Sequence, residues 1–238
     1  MLIHDPAVRA EKTRKKYAKI LSHLRDHTYA SRKILSQLID LSESSGFKTL
    51  EAMIKQGWII KYKSPDLSFY LYGITTSGLM ESWEYSDEQP AHRATFETSK
   101  LRPLMVRHYL IIQEAKLKAT NCGWSDWIPG KLSSKNLLKK PDALARNPTG
   151  QLINVEVELT IKSLKNYKII VSKFLQDIKQ GHYYEVNYLV ESKKFARSLN
   201  RQITLIHSIP VNGRNVPLTD SHKSRIKIFV FEDWPNLI

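Results

Sequence analysis

Apolar side chains recur every three or four residues through the first third of the chain, a spacing that predicts three helices. Over residues 9–25, Tyr17, Ile20, Leu21 and Leu24 form one stripe, with Arg14, Lys15, Lys16 and Lys19 between and beside them. Ser31 stands where it caps a second, short helix carrying Ile34, Leu35 and Leu38. Ser44 or Ser45 opens a third, with Phe47, Leu50 and Ile54 as its stripe and Gly57 as its C-terminal stop. The period then drops to two. Residues 58–62 and 68–72 read as the arms of a β-hairpin around a Ser-Pro-Asp turn at 64–66.

A polar stretch without periodicity follows, and residues 89–98 are assigned as a linker between a first domain at 1–88 and a second at 99–238. The second domain opens on a helix over 101–119 with Leu104, His108, Ile111, Ile112, Ala115 and Leu117. Strands are predicted at 123–128 and 141–146, then a third at 152–162 after the turn-forming Asn147-Pro-Thr-Gly150. Ser163 caps a long helix to Gln180, with Tyr167, Ile170, Val171, Phe174, Leu175 and Ile178 inward and Gly181 ending it. An apolar strand at 184–190, a short helix at 193–201, a strand near 203–206 and a last strand at 225–231 complete the chain. The order is α-β-β-β-α-β with additions, a mixed α/β sheet domain.

The third strand carries the chemistry. Val155, Val157, Leu159 and Ile161 alternate with Glu156, Glu158, Thr160 and Lys162, so two carboxylates and an ammonium project from one side. Asp142, just upstream in a Pro-Asp pair, offers a third carboxylate from a neighbouring strand. Carboxylates are hard oxygen ligands for Mg²⁺ or Mn²⁺, and such an ion activates water against a phosphodiester. Lys162 is expected roughly 13 Å along the strand from Glu158, where it steadies phosphate charge. Whether Glu158 or Lys162 activates the water stays open. Gln113 and Glu114 are weaker candidates for the same site. The plain alternative is a solvated sheet face, whose polar residues alternate for no other reason.

Charge sharpens the choice. The chain of 238 residues carries a net charge of +14, and residues 91–238 hold 24 Lys/Arg against 12 Asp/Glu. That excess favours a polyanionic partner, nucleic acid first. Lys165, Lys168, Ser172, Lys173 and Lys179 on the long helix are placed to follow a phosphate backbone. In the first domain, Lys15 and Lys16, together with Ser44, Ser45, Lys48, Thr49 and Lys55 of the third helix, are the candidate DNA contacts. Cys122 is the only cysteine, which rules out an intrachain disulfide, and no apolar run reaches membrane length. A cytoplasmic protein without a membrane partner is the expectation. No G-x-x-x-x-G-K-[ST] loop is present, which argues against an ATPase. The eight histidines form no H-x-H pair. Trp124 and Trp127 read as sheet-core edges sooner than as base-stacking platforms, and Tyr167, Tyr183, Tyr184 and Tyr188 mostly as packing residues.

These residues carry three resemblances. Three helices and a hairpin, closed by Leu71-Tyr-Gly-Ile-Thr-Thr-Ser-Gly-Leu79, resemble a winged helix-turn-helix; that implies a DNA-reading third helix. Pro141-Asp142 followed by Glu156-x-Glu158 resembles the PD-(D/E)XK nuclease superfamily, with Glu158 standing where that superfamily usually has lysine. The resemblance implies Asp142, Glu156 and Glu158 as Mg²⁺ or Mn²⁺ ligands, and Asp142, Glu156, Glu158 and Lys162 as the catalytic set. More specifically, Pro-Asp-Ala-Leu, then Val-Glu-Val-Glu-Leu-Thr-Ile-Lys-Ser, then a tyrosine-bearing helix and an apolar strand, resembles the replication-relaxation family and its MOB-C class of plasmid relaxases. That implies a protein that binds double- and single-stranded DNA at an origin of transfer and nicks one strand, with an accessory mobilization protein. The competing expectations are a non-catalytic plasmid replication or partition regulator and a restriction-type enzyme that cuts both strands.

Overall fold

In the computed structural model, which describes residues 5–86, 91–134 and 136–235, the chain divides into two compact units, Met1–Glu114 and Ala115–Ile238. The first unit runs α1 (Pro6–His27), β1 (Tyr29–Ser31), α2 (Arg32–Leu38), α3 (Glu43–Lys55), β2 (Ile59–Lys63), β3 (Tyr70–Ile74) and α4 (Thr76–Glu84). Ser31 caps α2 by accepting from the Ile34 amide, as its position predicts. The cap of α3 is Ser42, two residues before the expected start, and Ser44 and Ser45 hydrogen-bond to its hydroxyl. The buried face of α3 is Gly46, Leu50 and Met53. Phe47 and Ile54 are only half-buried, so the expected stripe is rotated on the helix.

These helices pack their apolar faces, led by Ile20, Leu21, Leu24, Ile34, Leu35, Leu50 and Met53, into a core shared with Leu71 and Ile74 of β3. The strands form an antiparallel sheet in the order β1-β3-β2. The expected hairpin therefore forms, its arms one and two residues later than read from the sequence, and β1 is an addition of three residues, too short to show a period. Thr75 closes the turn into α4: its hydroxyl accepts from the Gly78 amide at 3.0 Å and donates to the Gly57 carbonyl at 2.6 Å. Thr75→Ala removes both bonds and is expected to cost about 1 kcal/mol, read as a lowered midpoint in thermal unfolding.

The boundary between units falls along α5 (Pro103–Asn121), not at the polar stretch before it. Gln113 explains why: its amide donates to the Tyr29 carbonyl at 2.9 Å and it pairs with His23 at 2.9 Å, tying that part of α5 to the first unit. Phe96, in the segment read as linker, is buried over Gly73, and its amide bonds the Ile74 carbonyl at 2.9 Å. Residues 87–90 lie outside the described residues.

The second unit continues with β4 (Ser125–Pro129), β5 (Ala143–Arg146), β6 (Leu152–Val157), α6 (Leu164–Lys179), β7 (Glu185–Val190), α7 (Lys193–Thr204), β8 (Ser208–Val211), β9 (Arg214–Pro217), α8 (Asp220–Lys223) and β10 (Ile226–Val230). Its main sheet is ordered β10-β7-β6-β5-β4, with β10, β7 and β6 parallel and β5 and β4 antiparallel. The α-β-β-β-α-β succession thus forms as read from the sequence. The strand expected near 203–206 does not: α7 runs on to Thr204, and the chain pairs instead at 208–217, through a tight turn in which Asn212 and Gly213 both have positive φ. Tyr167, Val171 and Phe174 of α6 pack with Val186, Tyr188 and Val190 of β7 and Leu199 and Ile203 of α7. Among the described residues no helix is long and apolar enough to cross a membrane.

Candidate active site

Strand β6 lies between β7 and β5, and position decides the fate of its polar residues. A central strand has no wet face when helices cover it. Glu156 is 5% exposed and Glu158, just beyond the strand end, is 4% exposed, so the solvated-face alternative does not describe them. The regular strand stops at Val157, five residues short of the expected end. Partners explain this: β5 pairs only as far as Ala143 opposite Val155, and the last bond to β7 runs from the Glu158 amide to the Leu189 carbonyl at 3.0 Å. Beyond that, Ile161 is 39% exposed, not buried.

Leaving the strand brings Lys162 back. Its ammonium pairs with both oxygens of Glu158, where an extended strand would have held it roughly 13 Å away. Glu158 also accepts from the Tyr167 hydroxyl at 3.3 Å, and the same tyrosine oxygen accepts from the Lys162 amide at 3.3 Å. Tyr167 is buried, and its phenol is pushed up to about 12, chiefly by burial.

Asp142 sits at the mouth of β5, one step beyond the Ala143–Val155 pair, which places it opposite Glu156 in register. Its carboxylate accepts from the Val157 amide at 2.8 Å. Gly130 fixes the backbone there: its amide donates to the Asp142 carbonyl at 2.9 Å, and a Cβ on it would stand 1.8 Å from the Pro141 carbonyl oxygen.

Glu156 has a partner that the sequence did not reveal. Lys139 reaches one of its oxygens, Oε2, at 2.5 Å, while Oε1 is buried with no hydrogen-bond partner among the described residues. Burial pushes the Glu156 carboxyl up to about 7; Lys139 opposes this, and the charges of Asp142 and Glu158 add to it. Behind Lys139 stands Asp177, fully buried in α6, which accepts from the Leu138 and Lys139 amides at 3.0 and 3.4 Å. An aspartate three residues after Phe174 on the buried stripe of α6 was a legible signal of such a role.

Asp142, Glu156, Glu158 and Lys162 thus lie around the end of β6, Glu156 paired with Lys139, Glu158 with Lys162 and Tyr167, and Asp142 held by the Val157 amide, with Asp177 behind Lys139. Among the described residues, no group of three or more His, Cys, Asp or Glu stands in metal-holding geometry. The donors are of the kind a hard divalent ion takes: the Glu156 carboxyl feels the charges of Asp142 and Glu158, and among the described residues its Oε1 has no hydrogen-bond partner. Gln113 and Glu114 are not part of the site; Gln113 holds Tyr29, and Glu114 pairs with Lys33 at 3.0 Å.

The surface candidates divide. Lys165 and Lys173 on α6 are exposed and Lys168 is half-buried, whereas Ser172 is buried and donates to the Pro210 carbonyl, which removes it from any backbone contact. Ser45, Lys48 and Lys55 are exposed on α3, Thr49 is half-buried, and helical spacing sets them in one row. On α1, Lys15 is exposed 3.7 Å from Glu11 and Lys16 is half-buried. Sequence reading passed over Lys61 and Lys63 of β2, which stand over the ring of Tyr70 at 4.6 and 5.4 Å. Tyr183 and Tyr188 are core residues whose phenols burial raises, while Tyr184 lies under Arg225 at 4.2 Å. No protein family, curated protein or solved structure matches the chain.

Proposed function

We propose that the chain is a two-part DNA-nicking protein of the MOB-C relaxase kind. Its first unit acts as a winged helix-turn-helix that binds the origin of transfer, and its second as a PD-(D/E)XK-like domain that cuts one strand. The observation that supports this reading is that Asp142 stands opposite Glu156 in register, with Glu158 two residues on, inside an α-β-β-β-α-β order. The order of helices and hairpin in the first unit and the +14 charge of the chain support a nucleic-acid partner. In the cell it is expected to act in the cytoplasm with an accessory mobilization protein.

Asp142, Glu156 and Glu158 are the residues that would hold Mg²⁺ or Mn²⁺. Such an ion supplies a water nucleophile at neutral pH and neutralises charge on the phosphate oxygens. The protein's own contribution is positional. The Val157 amide orients Asp142, and Tyr167 and Lys162 together orient Glu158. Lys162 presents positive charge to a phosphate, and Lys165, Lys168 and Lys173 extend that charge along α6. In the first unit, the row Ser45, Lys48, Thr49 and Lys55 faces base edges and backbone, with Lys15 and Lys16 as further phosphate contacts.

A second reading has its own observation. Each of the site's two glutamates already has a lysine counter-ion, as expected of a site that has lost its metal and serves a plasmid replication or partition regulator. Incubation with supercoiled origin-bearing plasmid, with Mg²⁺ or with EDTA, separates the readings. Open circles that need the metal support nicking. Linear product points to a two-strand cutter, and retarded but uncut plasmid to the regulator.

A further inference from the structure

Helix α6 does more than cover the sheet: two of its buried side chains grip the main chain beside two different lysines. Asp177 holds the amides of Leu138 and Lys139, and the Tyr167 hydroxyl accepts from the amide of Lys162. Each lysine then reaches back to one buried glutamate. The two pairs differ in completeness. Glu158 is fully engaged, with both oxygens on Lys162 and one also on Tyr167. Among the described residues, Glu156 is engaged at one oxygen only, and its other oxygen is buried without a hydrogen-bond partner.

From this asymmetry we infer that Lys139 is a displaceable latch on Glu156, so that a divalent cation gains both oxygens of the carboxylate only as the Lys139 ammonium swings off Oε2. The inference rests on the nuclease-like reading of the cluster and deepens it by naming how the site is regulated. The geometry gives the latch a hinge. Asp177 fixes the backbone of Lys139, so the movable part is its side chain, which is about a quarter exposed and lies 5.0 Å from the centre of the Phe174 ring. An ammonium and a divalent ion compete for the same carboxylate oxygen, because like charges at contact distance repel. The displaced ammonium stays tethered beside the site, where an entering phosphate is its natural counter-ion. Lys162, although 39% exposed, is held by both oxygens of its partner.

The test is Mn²⁺ binding by calorimetry on the full chain, which reads the latch without relying on cleavage. Lys139→Met keeps the aliphatic stem over Phe174 and removes the charge; Lys139→Gln keeps a hydrogen-bond donor and serves if the methionine variant fails to fold. Lys140→Met removes an equal charge from the neighbouring exposed lysine and controls for general electrostatics. With the latch, both Lys139 variants bind Mn²⁺ about tenfold more tightly than the native chain, and Lys140→Met changes affinity far less. A native chain that binds nothing beside a Lys139→Met chain that binds also supports it. If the native chain binds Mn²⁺ and the Lys139 variants bind equally or more weakly, or if Lys140→Met tightens binding as much, the latch is wrong while the metal site stands. If neither the native chain nor any Lys139 variant binds Mn²⁺, the latch and the nuclease reading fall together.

Discussion

Glu156→Gln is expected to abolish metal-dependent nicking and, at pH 8, to make the chain more stable. The two effects have one cause. The carboxyl is buried, and its pKa rises from 4.5 to about 7 despite the Lys139 counter-ion. A carboxyl raised in the folded state binds its proton more tightly there than in the unfolded chain, so stability falls as pH climbs from 4.5 through about 7. Below that window the group is protonated in both states and contributes nothing. Above it the full penalty applies, which at 1.36 kcal/mol per unit is about 3 kcal/mol. Glutamine fills the same volume without the charge, and Lys139, a quarter exposed, turns to water. Urea unfolding should therefore favour the variant by about 3 kcal/mol at pH 8 and by less than about 1 kcal/mol at pH 5. A difference that does not change between those pH values would show that Glu156 is not desolvated. A stabilised variant that still nicks would remove Glu156 from the chemistry. The opposite signs of the two effects match a general trade-off, in which functional groups are kept in places that stability alone would not choose.

Much of this arrangement was legible because it follows from periodicity and caps. The stripe of α6, its Ser163 cap and its Gly181 stop are local, and the helix forms where they say. The pairing of Asp142 opposite Glu156 was legible because Pro-Asp and Glu-x-Glu lie close in the chain on consecutive strands. What failed was everything set by pairing partners. Leu159 and Ile161 continue the alternation of β6, but the ladder runs out of neighbours, so the pattern outlasts the strand. That single error misplaced Lys162. Lys139 was invisible for another reason: in a Lys-Lys-Pro-Asp run, a lysine that seals a buried carboxylate looks the same as one that faces water. Asn212-Gly213 is a different kind of miss, since the dipeptide is a strong hairpin signal and the β8–β9 pair forms around it.

The second large effect concerns a residue with no side chain. Gly130→Ala is expected to cost about 3 kcal/mol and to lower nicking by about a hundredfold, while DNA binding is kept. Gly130 opens the turn after β4 and lies flush against the chain entering β5. An added Cβ would stand 1.8 Å from the Pro141 carbonyl oxygen and 2.9 Å from its carbon, both backbone atoms that no rotamer change can move aside. The two segments must part by more than an ångström, which breaks the bond from the Gly130 amide to the Asp142 carbonyl. Asp142 then leaves the Val157 amide that aims its carboxylate. Gly150→Ala is the matching control. There the strain lies in a φ of +84° and the space around the Cβ is open, so about 1 kcal/mol is lost and Asp142 is not pushed. If Gly130→Ala nicks at the native rate, the position of Asp142 does not matter to the reaction. If Gly150→Ala loses activity to the same degree, the loss reports general destabilisation. Only the contrast between the two glycines ties cleavage to the placement of one carboxylate.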